Sequence, residues 1–374
     1  SPAKDIVLKT IIAVAVLCSF AVSTISFAGE LSVTGAAKAT YAIVSSDGSQ
    51  DGKSSGGKGL GIANEFSLGA SGELDNGWTW NYAQDIDGAT VQDDAKMTVT
   101  TGMGTVGVFV SEGGLSSKYA FSTAAYAPGS DYGTSGGSGS HSNGALGKGF
   151  HYGDDIGGYN NVQYHLPAGM LPLDGTLKIA YAPTGGKNAN ASSNASGSLP
   201  TGADGQSATQ VQTTFTPVDG VSISASYFEK DTDGKDLNAK RQEYQAGGLG
   251  GKYTSGPVSV GLSRFLIAPM ISSSVGAGTE IVRDFENTAA SVGFVANDNL
   301  SVSLMIEKSK QNGTSTSGTN VKTRTDTTTK ITSAQGAYTM GGMTLSLAHK
   351  EIDNAAYTKT KNLAETVVAV VMAF

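Results

Sequence analysis

The acidic residues with the most suggestive placing are Asp131, Asp154 and Asp155. They fall in Gly113 to Gly157, a stretch rich in Gly, Ser and Tyr without a clean strand pattern. Lys38, Lys96 and Lys178 stand elsewhere, each on the polar side of an alternating segment. The acids lack the spacing of a metal site, and the four histidines, His141, His151, His165 and His349, lack it too. What opposed acids and lysines can do is set an electric field across an aqueous space and bias which ions cross it. The rival reading puts the acids at a solvated loop tip, where they define nothing.

Such a field needs walls. A structureless loop of that length inside a compact domain is unusual and points to function. On either side of it the chain reads as short alternating segments. Leu31, Val33, Ala37, Ala39, Tyr41 and Ile43 share one face of the first, and Ser32, Thr34, Lys38 and Thr40 the other. In the second, Ile62, Phe66, Leu68, Ala70 and Leu74 oppose Glu65, Ser67, Ser71 and Glu73. Asp75-Asn76-Gly77 is a tight-turn signal, and Trp78, Trp80, Tyr82 and Ile86 follow in one phase. Tryptophans just past a turn suit an interfacial aromatic girdle, although sandwich cores also use them.

The pattern continues to the last residue. Turns near 76, 103, 170, 219, 256, 298 and 341 are short, and the connections between them are long. Seven short and eight long connections predict sixteen strands, with both termini on the short-turn side. The expected fold is all-β: a transmembrane antiparallel barrel whose third long loop enters the lumen. Strand length fits, because a tilted strand crosses a bilayer in ~10 residues. Composition fits as well, with 51 glycines and apolar residues thinly spread among polar ones. Two segments resist assignment. Val108, Phe109 and Val110 leave the phase of the fifth strand open, and Tyr244 and Tyr253 have opposite parity in the tenth, which a bulge would reconcile.

Residues 1–28 read as a secretory leader. Lys4 and Lys9 form the basic end, Ile11 to Val22 the apolar centre, and Ser26-Phe27-Ala28 the cleavage site. The barrel domain would then be 29–374. Cys18 is the only cysteine and lies in the leader, so the mature chain forms no disulfide or thiolate metal site. The net charge of −7 becomes one unit more negative without Lys4, Lys9 and Asp5, which argues against a nucleic-acid partner. Asp47-Gly48, Asp51-Gly52 and Asp231 to Asp236 do not match a calcium loop and read as turns. No cofactor is expected.

Four places together resemble the general (diffusion) porins of Gram-negative bacteria. They are Gly72-Glu73-Leu74-Asp75-Asn76-Gly77, Gly102-Met103-Gly104-Thr105-Val106-Gly107, Asn160-Asn161-Val162-Gln163-Tyr164 ending at Pro167, and the last strand closing on Phe374. The family pattern carries more charge, often Arg, at the second and third places. The resemblance implies a water-filled channel for passive diffusion of small polar solutes and ions, not an enzyme. It also implies a homotrimer in the outer membrane, in contact with its lipid and lipopolysaccharide. The third loop would constrict the pore, with Asp131, Asp154 and Asp155 facing Lys38, Lys96 and Lys178. Phe374 would be read by the outer-membrane assembly machinery. The alternation itself predicts that Lys38, Glu65, Asp85, Lys96, Lys178, Glu307 and Glu365 point into the lumen, since charge facing lipid at mid-depth is costly. Gly35, Ala37 and Ala39 would pack against a neighbouring subunit or face lipid. A plugged or adhesive surface barrel and a barrel hydrolase using His165 stay open beside the porin reading.

Overall fold

The computed structural model describes residues 30–46, 57–87, 94–123, 153–183, 207–230, 240–269, 271–272, 280–317 and 321–373. The leader, Glu65's side chain, Asp131 and Phe374 lie outside the described part.

Sixteen antiparallel strands close on themselves. They are β1 (Glu30–Ser46), β2 (Gly57–Glu73), β3 (Thr79–Asp87), β4 (Ala95–Thr101), β5 (Gly104–Val110), β6 (Asn161–His165), β7 (Thr176–Ala182), β8 (Ala208–Phe215), β9 (Val221–Lys230), β10 (Tyr244–Ser255), β11 (Val258–Ala268), β12 (Glu280–Val295), β13 (Leu300–Ser317), β14 (Thr327–Met340), β15 (Met343–Asp353) and β16 (Leu363–Ala373). Each pairs with its sequence neighbours, and β1 pairs with β16 to shut the ring: Ala39 faces Ile62 on one side and Val370 on the other. Closure leaves no strand edge, so the ladder hydrogen bonds are met within the wall, as a lipid surround requires. Short pieces at Lys240–Gln242, Ile271–Ser272 and Val321–Arg324 lie in the long connections.

All seven predicted short turns are present at one end. At the first, Gly77 takes φ 79°, and its amide donates to Leu74 O at 2.8 Å. At the fourth, Gly220 has φ 78°, and a Cβ there would overlap the Thr254 carbonyl.

Parity decides what each side chain meets. Leu31, Leu60, Ile62, Leu249, Leu262, Leu304 and Leu347 point outward and are more than half exposed, as a lipid-facing band would be in the absence of lipid. Trp80, Tyr164, Tyr253, Phe294 and Tyr338 share this outward parity near the short turns, in the position of the predicted girdle. The fifth strand resolves with Phe109 inward at 5% exposure and Val108 outward at 49%. The tenth corrects an expectation. Its register with β11 runs unbroken from Gln245 to Ser255, without a bulge. Tyr244 and Tyr253 differ in parity because they serve opposite faces. Tyr244 packs inward on Phe228, whereas Tyr253 is 48% exposed on the outside.

The packed core lies inside the barrel near the long-loop end. Inward residues of β7 to β12, among them Ala180, Phe228, Ala246, Phe265 and Ile267, close around Leu115 and Ile156 from the long connection after β5.

Candidate pore constriction

Lys38, Lys96 and Lys178 point inward, as predicted. Lys38 stands opposite Ala63 and Val371, Lys96 opposite Ala83 and Phe109, and Lys178 opposite His165 and Gln212. Asp85 is inward and accepts from the Ser67 hydroxyl. Glu307 and Glu365 are inward and buried.

The third long loop begins where Ser111, at φ 54°, turns the chain off β5. Its two ends are stitched together. Asp155 accepts from the amides of Leu115 (2.9 Å), Ser116 (3.1 Å) and Gly157 (3.2 Å). The Asn161 side-chain nitrogen Nδ2 donates to the carbonyls of Glu112 (3.1 Å), Ile156 (3.2 Å) and Tyr159 (2.9 Å). Gln163 Nε2 donates to Gly113 O at 2.6 Å, and Ile156 N to Gln210 Oε1 at 2.8 Å. Asp154 N donates to Tyr244 Oη at 2.7 Å, and the Asp154 carboxylate accepts from the Tyr159 hydroxyl at 2.9 Å. Burial, with the Asp154 carboxylate beside it, pushes the Tyr159 phenol far above its ordinary range, so it stays a donor.

From this base, residues 117–123 run along the inner wall. Ser117 N donates to Ser226 Oγ at 2.8 Å, and its hydroxyl lies 2.7 Å from Ser224 Oγ on β9. Thr123 N donates to Ser291 Oγ on β12 at 3.0 Å. Between these contacts the loop backbone lies directly on Gly261 of β11, where a Cβ would overlap the Phe121 carbonyl oxygen. Phe121 itself is fully buried. The wall serines on these strands therefore act as a hydrogen-bonding track for the loop.

This geometry rearranges the predicted charge pairs. Both oxygens of Asp155 are engaged by backbone amides, and Asp154 by a buried phenol, so the two acids shape the base of the loop. The partner of Lys96 is Glu112, 2.5 Å away, an acid that the parity argument passed over because it follows the end of β5. Lys350, also passed over, lies inward on β15 and pairs with Glu365 at 3.4 Å, both almost fully buried. Its signal was available, because Ser346, Ala348, Lys350 and Ile352 alternate with Leu345, Leu347 and His349. His165 Nε2 lies 2.8 Å from Gln163 Oε1, while His349 faces outward against Thr366 and Glu351.

No protein-family model matches the chain, and no curated protein does. Solved structures do. The in-vitro folded outer membrane protein OmpT of Vibrio cholerae superposes with a TM-score of 0.61 at 11% identity, over 94% of this chain and 99% of that one. The anion-selective porin from Comamonas acidovorans gives 0.59 at 13%, over 92% and 100%. Salmonella typhi OmpF, in complex with daunomycin, gives 0.56 at 14%, over 92% and 98%. The chain has the general-porin fold. At these identities the likeness shows the fold alone, and the constriction rests on this chain's own residues.

Proposed function

We propose that the chain is a passive diffusion porin of a Gram-negative outer membrane, carrying small hydrophilic solutes and ions through a water-filled barrel. The observation that carries this reading is the course of the third loop. Its described residues cross the inner wall from β5 to β12 and hydrogen-bond to lumen-facing serines. A loop so placed narrows a pore and leaves it polar. The mechanism is size exclusion with an electrostatic bias from the inward charges. No catalytic step belongs to this reading.

Assembly as a homotrimer is part of the proposal, supported by a trimeric form of Vibrio cholerae OmpT among the similar structures. Recognition of Phe374 by the assembly machinery and contact with lipopolysaccharide belong to it as well. The test is single-channel recording of the refolded protein in a planar bilayer. Steady conductance closing in three equal steps is the expected result. Silence from protein shown to be folded overturns the reading in favour of a plugged barrel.

A further inference from the structure

The last long connection, residues 354–362, joins β15 to β16 and does not extend away from the barrel. Ala355 is fully buried, in a cluster with Ile331, Ile352 and Leu363, all inward. Tyr357 N donates to the hydroxyl of Thr329 on β14 at 3.1 Å, and that hydroxyl donates to Asn354 O at 2.7 Å. The Tyr357 hydroxyl lies 2.6 Å from Ser309 Oγ on β13. Its ring packs on Phe285 of β12, with centroids 5.1 Å apart. The segment thus covers β14, β13 and β12 from inside. Phe285 belongs to the apolar cluster that also holds Leu115 and Ile156 of the third loop, so both loops pack against one apolar cluster inside the barrel.

The backbone has been bent to achieve this. Asn354, Ala356, Tyr357 and Thr360 all have φ between 53° and 65°, and none is glycine. Side chains with a Cβ avoid this region unless surrounding contacts impose it. Here the imposing contacts are those of Tyr357 and Asn354, whose side-chain amide donates to Thr328 O at 2.9 Å and whose Oδ1 accepts from Thr360 N at 3.0 Å.

We propose that residues 354–362 form a second internal constriction, held by Tyr357, and that both loops together set the size limit for solutes. This rests on the porin reading above. Removal of the ring would release a segment whose own backbone favours leaving the wall.

The experiment compares wild-type protein with Tyr357→Ala, Tyr357→Phe and a variant in which residues 355–361 are replaced by two glycines. Single-channel conductance and the entry of neutral sugars of graded size into liposomes are measured. Release of the loop is read separately, as faster tryptic cleavage after Lys359 and Lys361 in the Ala variant. The expected result is a conductance higher by about twofold in the Ala and deletion variants, as for an obstacle leaving a pore of fixed wall, with larger sugars admitted. Tyr357→Phe, which keeps the ring on Phe285 but loses Ser309, should fall between. A silent folded wild type, even beside conducting variants, overturns the porin reading and this inference with it, and makes the loop a plug. A conducting wild type with unchanged conductance and sugar limit in the deletion variant overturns this inference alone. Silence in all four folded proteins overturns it together with the porin reading.

Discussion

At the scale of single residues, two inward lysines are held beside acids. Lys96 and Glu112 are partly exposed, so their pairing contributes little to stability but places an acid at the loop's root, beside the lumen. Glu112→Gln should leave refolding unchanged and shift the reversal potential in a salt gradient towards anions, because Lys96 then lacks its partner. An unchanged potential would mean that ions do not pass this pair. The Lys350–Glu365 pair is the opposite case, almost dry. Lys350→Met should destabilise the barrel by about 3–5 kcal/mol in urea refolding into vesicles, since it strands a buried carboxylate. Adding Glu365→Leu should recover most of that loss. A double variant as unstable as the single one would show that packing, not charge, is at stake.

At the scale of elements, the strands owe their position to alternation and the loops to contacts across the lumen. Leu304 on β13 faces outward and is 58% exposed without lipid. Leu304→Arg should cost about 2–4 kcal/mol of bilayer refolding free energy if it lies near mid-depth. Thr34→Arg, on the inward parity of β1 and solvent-exposed, should cost far less. Equal costs would contradict the assignment of faces. The third loop depends on a missing side chain. Gly261→Val should lift Phe121 off the wall, leave the strands intact and raise conductance. Loss of the folded barrel instead would mean that the loop is needed for closure.

At the scale of the whole molecule, one ring of sixteen strands has no free edge through which unfolding can begin by fraying. The protein should therefore stay folded in cold SDS and migrate differently from the same sample after boiling, more slowly as a trimer or faster as a folded monomer. Identical migration would argue against a closed barrel with this kinetic barrier. The ring also explains how the fold persists at 9–14% identity to the similar solved structures. Most outward positions ask for apolar side chains, inward ones accept polar or small ones except where a loop packs on them, and the hydrogen bonds are made by the backbone.

That difference between local and distant constraints separates what the sequence by itself determined from what only the tertiary structure decided. Strand number, facing and the end bearing the short turns were legible, because alternation is a relation between residues two apart and a turn such as Asp75-Asn76-Gly77 carries its own geometry. The inward placing of Lys38, Lys96 and Lys178 follows from the same parity. Their partners did not. Ser117 meets Ser226 and Thr123 meets Ser291 across 109 and 168 residues of chain, and nothing local in either segment encodes the other. Asp154 and Asp155 read as charges aimed at a solute because a lone sequence does not show which backbone amides will surround a carboxylate once a loop is folded. Tyr244 and Tyr253 implied a bulge only on the assumption that both tyrosines seek one face, whereas a lumen packed by loops has an apolar interior of its own. The last loop carried no signal at all. Its left-handed residues are not glycines, and what holds them is a wall built from strands that the chain completes only when β16 pairs with β1.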